Sequence, residues 1–417
     1  MLIFILIFIA IVDTYTFRGV FLLTRTIDTT WLRMGIRIGF WIITAIFAGG
    51  LIYLVNAPEP RPSPAMTRNY YMFFGFFLLL YVPKLIFIVF QLIEDITYLV
   101  QHLIAKISHI SSGSDNVINA IPISRLTFIS HIGIIMASVP FISIIYGMLK
   151  GRWDFRVRKH ELYFPHLPEA FDGLRIVQIS DIHIGSFYGY REKVEGAIEQ
   201  VNALNPDFVF FTGDLVNNFA EELEGWIPVL SKIKAGTGKY SILGNHDYGD
   251  YYHWSSEEAK QENLRKVKDA HAKFGFRLFL NENAILESKG QQIALIGVEN
   301  WGLPPFKQYG DLDQAIKGVE NIPFKILMSH DPSHFDAKVL DKTDIALTLS
   351  GHTHGMQFGI EIKGIKWSPV KYRYPRWAGL YAVNGQNLYV NRGFGYIGFP
   401  GRIGMPPEIT VLELHKG

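Results

Sequence analysis

The first 150 residues show almost no alternation of apolar and polar positions; they run apolar on every face. Four stretches stand out, at 2–23, 36–55, 70–93 and 126–149. A membrane span needs about 20 mostly apolar residues, and a helix on a soluble surface would keep a polar stripe. The pattern therefore predicts four transmembrane helices, the first of them interrupted by Asp13 and Arg18. Asp13, Lys84 and His131 are costly in lipid and are expected to face protein or water. An Asp13–Lys84 pair is one such arrangement, and snorkelling toward the helix ends is another. The start lacks the basic n-region and small-residue cleavage site of a secretory leader.

The pattern changes after residue 150. A basic linker and entry strand occupy 151–170, and from 171 to 417 short apolar runs alternate with helical periodicity. "LRIVQIS" (174–180) precedes "REKVEGAIEQVNAL", and "DFVFFTG" (207–213) precedes "EELEGWIPVLSKIK" (221–234). "KYSILG" (239–244) precedes the helix-like 255–275, and "FKILMSH" (324–330) and "DIALTLSG" (344–351) follow a predicted hairpin. Such alternation predicts an α/β domain with largely buried strands. The tail "LYVNRGFGYIGFPGRIGMPPEITVLEL" reads as two strands around a Gly/Pro-rich loop.

Charge and composition add three constraints. "KGRWDFRVRK" (150–159) with Arg61 and Arg68 puts seven basic residues on one side of four spans, against Arg25, Arg33, Arg37 and Lys106 on the other. By the positive-inside rule this places the C-terminal domain in the cytoplasm. A net charge of +2 without a basic, aromatic-laced run implies no nucleic-acid partner. There is no cysteine, so any metal must be held by nitrogen and oxygen. Oligomeric state has no signature here.

Polar residues collect at the C-terminal ends of the predicted strands, the edge where open α/β sheets bind ligands. They are Asp181 and His183 in "DIH", Asp214 in "GD", Asn245, His246 and Asp247 in "GNHD", His330, and His352 and His354 in "GHTH". Each cluster alone is weak, because a "GD" is usually a turn and a strand-end histidine is usually structural. Leaving out His246 and Asp247, they offer two carboxylates, four imidazoles and a carboxamide, a set suited to divalent Mn, Fe or Zn. That exceeds what one catalytic ion with open positions needs, and suits two ions sharing a carboxylate.

The order "DIH … GD … GNHD … H … GHTH" resembles the calcineurin-like metallophosphoesterase superfamily, and most resembles its bacterial membrane-associated branch. Met356 departs from the pattern, standing where a third glycine is common. The resemblance covers about 171–417 and implies a sandwich of two sheets flanked by helices. It implies one metal on Asp181, His183 and His354, a second on Asn245, His330 and His352, and Asp214 bridging. His246 would lie beside the phosphoryl group as a catalytic residue, oriented by Asp247. Water would then attack phosphorus in line, with no covalent nucleophile.

The expected protein is an integral, multi-pass enzyme of a bacterial inner membrane that hydrolyses a phosphate ester or pyrophosphate. One helix suffices as an anchor, so four point to a substrate in the bilayer, such as a lipid-linked phosphoester. Two alternatives stand beside it: a broad phosphomonoesterase or phosphodiesterase on soluble substrates, and a membrane sensor or transport component with a regulatory hydrolase domain. The aromatic loop at 248–254 is a substrate wall, a contact with the bilayer interface, or packing on the domain. Arg402 is either a phosphate contact or a structural salt bridge, and Arg191 a surface charge at a helix start.

Overall fold

The computed structural model describes residues 2–56, 63–112, 123–362 and 364–417; Arg61, used in the charge count, lies outside them. The chain forms two compact units, one of 1–62 with 73–145 and one of 63–72 with 146–417. The first contains helices α1 (Leu2–Leu23) and α2 (Thr30–Asn56), with most of α3 (Pro64–Ser112) and α4 (Ile123–Leu149). All four are long and apolar enough to cross a membrane. Helix α3 runs well beyond the expected 70–93; at 49 residues it is on the order of 70 Å long.

Inside this unit the lipid-unfriendly charges meet. Asp13 of α1 is fully buried, and Lys84 Nζ of α3 lies 2.6 Å from its Oδ1. Thr44 and Tyr81 donate to the other oxygen at 2.6 and 2.9 Å. Arg18 and Asp95 form a second pair at 2.6 Å, and Tyr15 also donates to Asp95. His131 is exposed on α4.

The second unit is α/β. Its strands are β1 (Arg156–Phe164), β2 (Leu174–Ile179), β3 (Phe208–Phe211), β4 (Gly238–Ser241) and β5 (Arg277–Leu278). They continue with β6 (Glu282–Ser288), β7 (Gln291–Gly297), β8 (Lys325–Met328), β9 (Leu347–Ser350), β10 (Ile360–Ile362) and β11 (Ile365–Trp367). Last come β12 (Gly379–Val383), β13 (Gln386–Val390) and β14 (Glu408–Lys416). One sheet has the order β1-β14-β2-β3-β4-β5 and the other β12-β13-β9-β8-β7-β6; β10 and β11 form a small separate hairpin. Helices α5 (Arg191–Ala203), α6 (Ile227–Leu230), α7 (Glu257–Lys273) and α8 (Leu312–Ile316) join these strands.

Strand residues alternate between two cores, which is why the strands read as unbroken apolar runs. Ile176, Phe208, Phe210, Ile326, Met328, Leu347 and Leu349 meet between the sheets. Their neighbours Val177, Ile179, Val209 and Phe211 pack outward against α5 and α7, and Leu327, Leu388 and Val390 outward toward α8. The result is a sandwich of two sheets flanked by helices. Two local expectations shift. The helix expected over 221–234 shortens to α6, because Gly225 takes φ 77° and Pro228 lacks the N–H an earlier start would use. The two tail strands do not pair with each other: β13 joins β9 in one sheet and β14 joins β2 in the other.

Candidate metal centre

The parallel strands β2, β3 and β4 of one sheet and β8 and β9 of the other end at one place. All seven residues of the expected ligand set, with His246, arrive there on the loops that follow. Glycines allow the loops to approach. A Cβ on Gly351 would collide with Ser180 Oγ and an Asp181 oxygen, and one on Gly244 would run into Asp214. The side chains are aimed by unusual backbone. Asp181, His183, Asp214, His352 and His354 all sit at positive φ, between 47° and 71°. Such conformations cost about 1–3 kcal/mol each and persist where the surroundings enforce them, typically at functional sites.

Asp214 is the hinge of the arrangement. The His246 backbone N–H donates to its Oδ1 at 2.9 Å, which turns Oδ2 toward two histidines. Nε2 of His183 lies 3.5 Å from that Oδ2, and Nε2 of His330 lies 3.2 Å from it. On one side, His354 Nε2 is 3.1 Å from His183 Nε2 and 3.3 Å from Asp181 Oδ1. On the other, Asn245 Oδ1 is 3.1 Å from His330 Nε2 and 2.7 Å from His352 Nδ1. Asp181, His183, Asp214 and His354 form one group able to hold a metal ion, and Asp214, His330 and His352 form another. The donors are carboxylate oxygen and imidazole nitrogen, which fit divalent transition ions.

Further contacts fix the rings. His330 Nδ1 donates to Thr212 O at 2.7 Å, leaving Nε2 free to face the group. His352 Nε2 is 2.8 Å from the Tyr374 hydroxyl, so its Nδ1 points inward. Burial lowers the His183 imidazole. Burial also opposes charge on His330, yet the Asp214 carboxylate outweighs it and pushes His330 up to about 10. Burial likewise opposes ionisation of Asp214, but the surrounding histidines, His330 first, hold it well below the usual range.

Two expectations need correction. Asp247 does not touch the His246 ring. Its carboxylate accepts backbone N–H bonds from Gly244, Asp214, Leu215 and Val216 at 2.8, 2.9, 2.8 and 3.2 Å, tying two site loops together. The ring of His246 is held instead by Asn217 O, 2.7 Å from Nδ1. The His246 imidazole is pushed below its usual range, by burial first. Arg402 forms no salt bridge among the described residues. It is 1% exposed, donates to the carbonyls of Arg392, Gly393, Gly395 and Met405, and places Nη2 3.2 Å from His354 Nδ1.

Other residues divide between the readings offered for them. Tyr248 stacks on Tyr309 at 4.0 Å, and Tyr252 and Trp254 pack on Phe219, so most of the aromatic loop is packing. Tyr251 is different: its hydroxyl accepts from Asn245 at 2.8 Å and its ring lies 4.6 Å from that of His246. Arg191 is a surface charge paired with Glu195. Beside the centre, a cleft of about 350 Å³ is lined by Leu303, Pro332, Asp336, Arg373, Tyr374 and Arg376.

Two family models match this chain. The family described as "Calcineurin-like phosphoesterase" covers residues 174–356, and "Probable Calcineurin-like phosphoesterase, transmembrane domain" covers 1–152. An uncharacterized metallophosphoesterase of Bacillus subtilis, YkuE, is 32% identical over 263 residues, 61% of this chain and 84% of that protein. The chain belongs to the calcineurin-like metallophosphoesterase family. A Danio rerio transmembrane protein with metallophosphoesterase domain is 32% identical over 279 residues, 65% of this chain. The match spans 60% of the fish protein's length. The crystal structure of a dimetal phosphatase from Danio rerio aligns with a TM-score of 0.31 and 11% identity, covering 53% of this chain and 88% of that one. The two family models thus match a transmembrane region at 1–152 followed by a calcineurin-like phosphoesterase domain at 174–356.

Proposed function

We propose that residues 1–150 form a transmembrane bundle, that 151–170 link it to a catalytic domain at 171–417, and that this domain cleaves a phosphate ester or pyrophosphate carried on a membrane lipid. The observation that carries the reading is the sharing of Asp214 Oδ2 between two buried donor sets. Asp181, His183 and His354 would hold one divalent ion, Asn245, His330 and His352 the other, and Asp214 both. Manganese, iron or zinc in these positions would lower the pKa of a water and neutralise charge on the phosphoryl oxygens.

The chain's own groups do the rest. His246 donates Nδ1–H to Asn217 O and turns Nε2 away from the backbone; as the imidazolium it would give its Nε2 proton to the leaving oxygen and be left neutral. Asp247 acts indirectly, holding the Asp214 and Asn245 loops in register. The neighbouring cleft, with apolar walls and Arg373 and Arg376, suits an amphiphilic leaving group. Four spans exceed the need of an anchor, which supports a substrate in the bilayer over a soluble one. The charge count supports a catalytic domain on the cytoplasmic side.

The test uses the full chain in detergent. Metal content and hydrolysis of mono- and bis-nitrophenyl phosphate are compared for the wild type and Asp214→Ala. Two ions per chain and turnover in the wild type alone are expected. A folded wild-type protein unable to retain metal sinks the reading.

A further inference from the structure

We propose that Arg68 and Arg152 clasp the phosphate of an anionic phospholipid headgroup at the turn Tyr188-Gly189-Tyr190. This site is separate from the metal centre and shares no residue with it. Arg152 is only 6% exposed, yet its hydrogen bonds are two long ones, to Tyr396 Oη at 3.2 Å and Tyr190 Oη at 3.4 Å. Its buried Nε has no partner. The guanidinium lies 4.5, 5.1 and 5.2 Å from the ring centres of Trp153, Tyr190 and Tyr396. A buried cation normally comes with a counter-charge. Among the described residues no carboxylate is ion-paired with Arg152 or Arg68.

Arg68 approaches the same turn at Tyr188 and Gly189. Its guanidinium lies 5.6 Å from the Tyr188 ring centre, and its Nη1 would be 3.5 Å from a Cβ placed on Gly189. Two cations thus flank one three-residue turn, and Tyr188 there is 43% exposed, which opens the place to a ligand. The missing partner is an anion, and the planar fork of arginine matches phosphate oxygens.

Chain position says which phosphate. Arg68 precedes the apolar run at 70–93 by two residues, and Arg152 follows the run ending at Leu149 by three. Basic residues this close to a span sit at headgroup height, where Trp153, Tyr188 and Tyr190 are also at home. A soluble phosphate shares the chemistry, so the test separates the two.

Full-length protein in mild detergent is offered equal phosphatidylglycerol and phosphatidylcholine, and retained lipid is counted by native mass spectrometry. The wild type is expected to prefer phosphatidylglycerol. Arg68→Gln and Arg152→Gln should each weaken that lipid about fivefold, the equivalent of ~1 kcal/mol per basic residue at an anionic surface. Retention of phosphatidylcholine and hydrolysis of a soluble diester should not change in Arg68→Gln. Arg68 is partly exposed, so that variant decides the matter even if Arg152→Gln fails to fold. Equal phosphatidylglycerol retention by wild type and Arg68→Gln overturns the proposal. So does an Arg68-dependent binding of inorganic phosphate with no preference between the two lipids.

Discussion

The imidazole of His352 is gripped at both nitrogens, Nδ1 by Asn245 at 2.7 Å and Nε2 by the Tyr374 hydroxyl at 2.8 Å. Tyr374 is thus a positioning residue for a proposed ligand. Tyr374→Phe keeps the ring in its cluster with Val370, Trp377 and Met405 but deletes the hydrogen bond. Loss of such an outer partner typically costs about 10–100-fold in metal affinity or activity. Metal titration of the stripped full-length variant should show that drop, and an unchanged affinity would remove Tyr374 from the account. This residue was not legible in the sequence, whereas the residues it supports were. Asp181, Asp214 and His352 each sit in a short motif at a strand end, so local order announces them. Tyr374 and Asn217 come from loops with no motif of their own, and their roles exist only once the sheets meet. Asp247 and Arg402 are less legible for a related reason: backbone amides and carbonyls, their actual partners, leave no mark on composition. Met356 is a partial exception. It holds φ 55°, so the glycine common there has a conformational reason the sequence already hinted at.

Two contacts between elements carry measurable consequences. His271 of α7 is fully buried, with Nδ1 2.8 Å from Ser241 Oγ of β4 and no partner on Nε2. Burial pushes this imidazole down to about 3, against about 6.5 in an unfolded chain. Between those values the unfolded state binds the extra proton, so folding stability falls as pH drops through this window and is fully present above it. From pH 7 to pH 5 the loss attributable to His271 is about 2 kcal/mol. His271→Phe, surrounded by Phe211, Phe274 and Phe276, should lose correspondingly less over the same interval in denaturant unfolding. An identical pH slope in both proteins would contradict this. The Asp13–Lys84 pair joins α1 to α3 in the same sense. Lys84→Met strands a buried carboxylate and should cost about 3–5 kcal/mol, while Asp13→Leu combined with Lys84→Met should recover most of it. Thermal unfolding in detergent distinguishes the two, and a single variant as stable as the double would show that the pair is not a coupled unit.

At the scale of the whole molecule, the two units were legible because their hydrophobic patterns differ in kind. One is apolar on all faces, and the other alternates between buried strands and amphipathic helices. Strand partnership was less legible, since pairing is decided across the fold; nothing local says that β13 and β14, 18 residues apart, enter different sheets. Sidedness is the remaining whole-molecule property, and it rests on seven basic residues against four. The absence of cysteine makes it directly measurable, because each introduced thiol is unique. With four spans, the loop between α1 and α2 and the C-terminus lie on opposite sides of the bilayer. Asp28→Cys, exposed in that loop, should react with a membrane-impermeant maleimide in intact cells. Lys416→Cys, near the end of β14, should react only after permeabilisation. The reverse pattern would put the metal centre outside the cytoplasm, exclude any substrate delivered on a cytoplasmic nucleotide, and leave lipid phosphoesters of the outer leaflet as the class to assay.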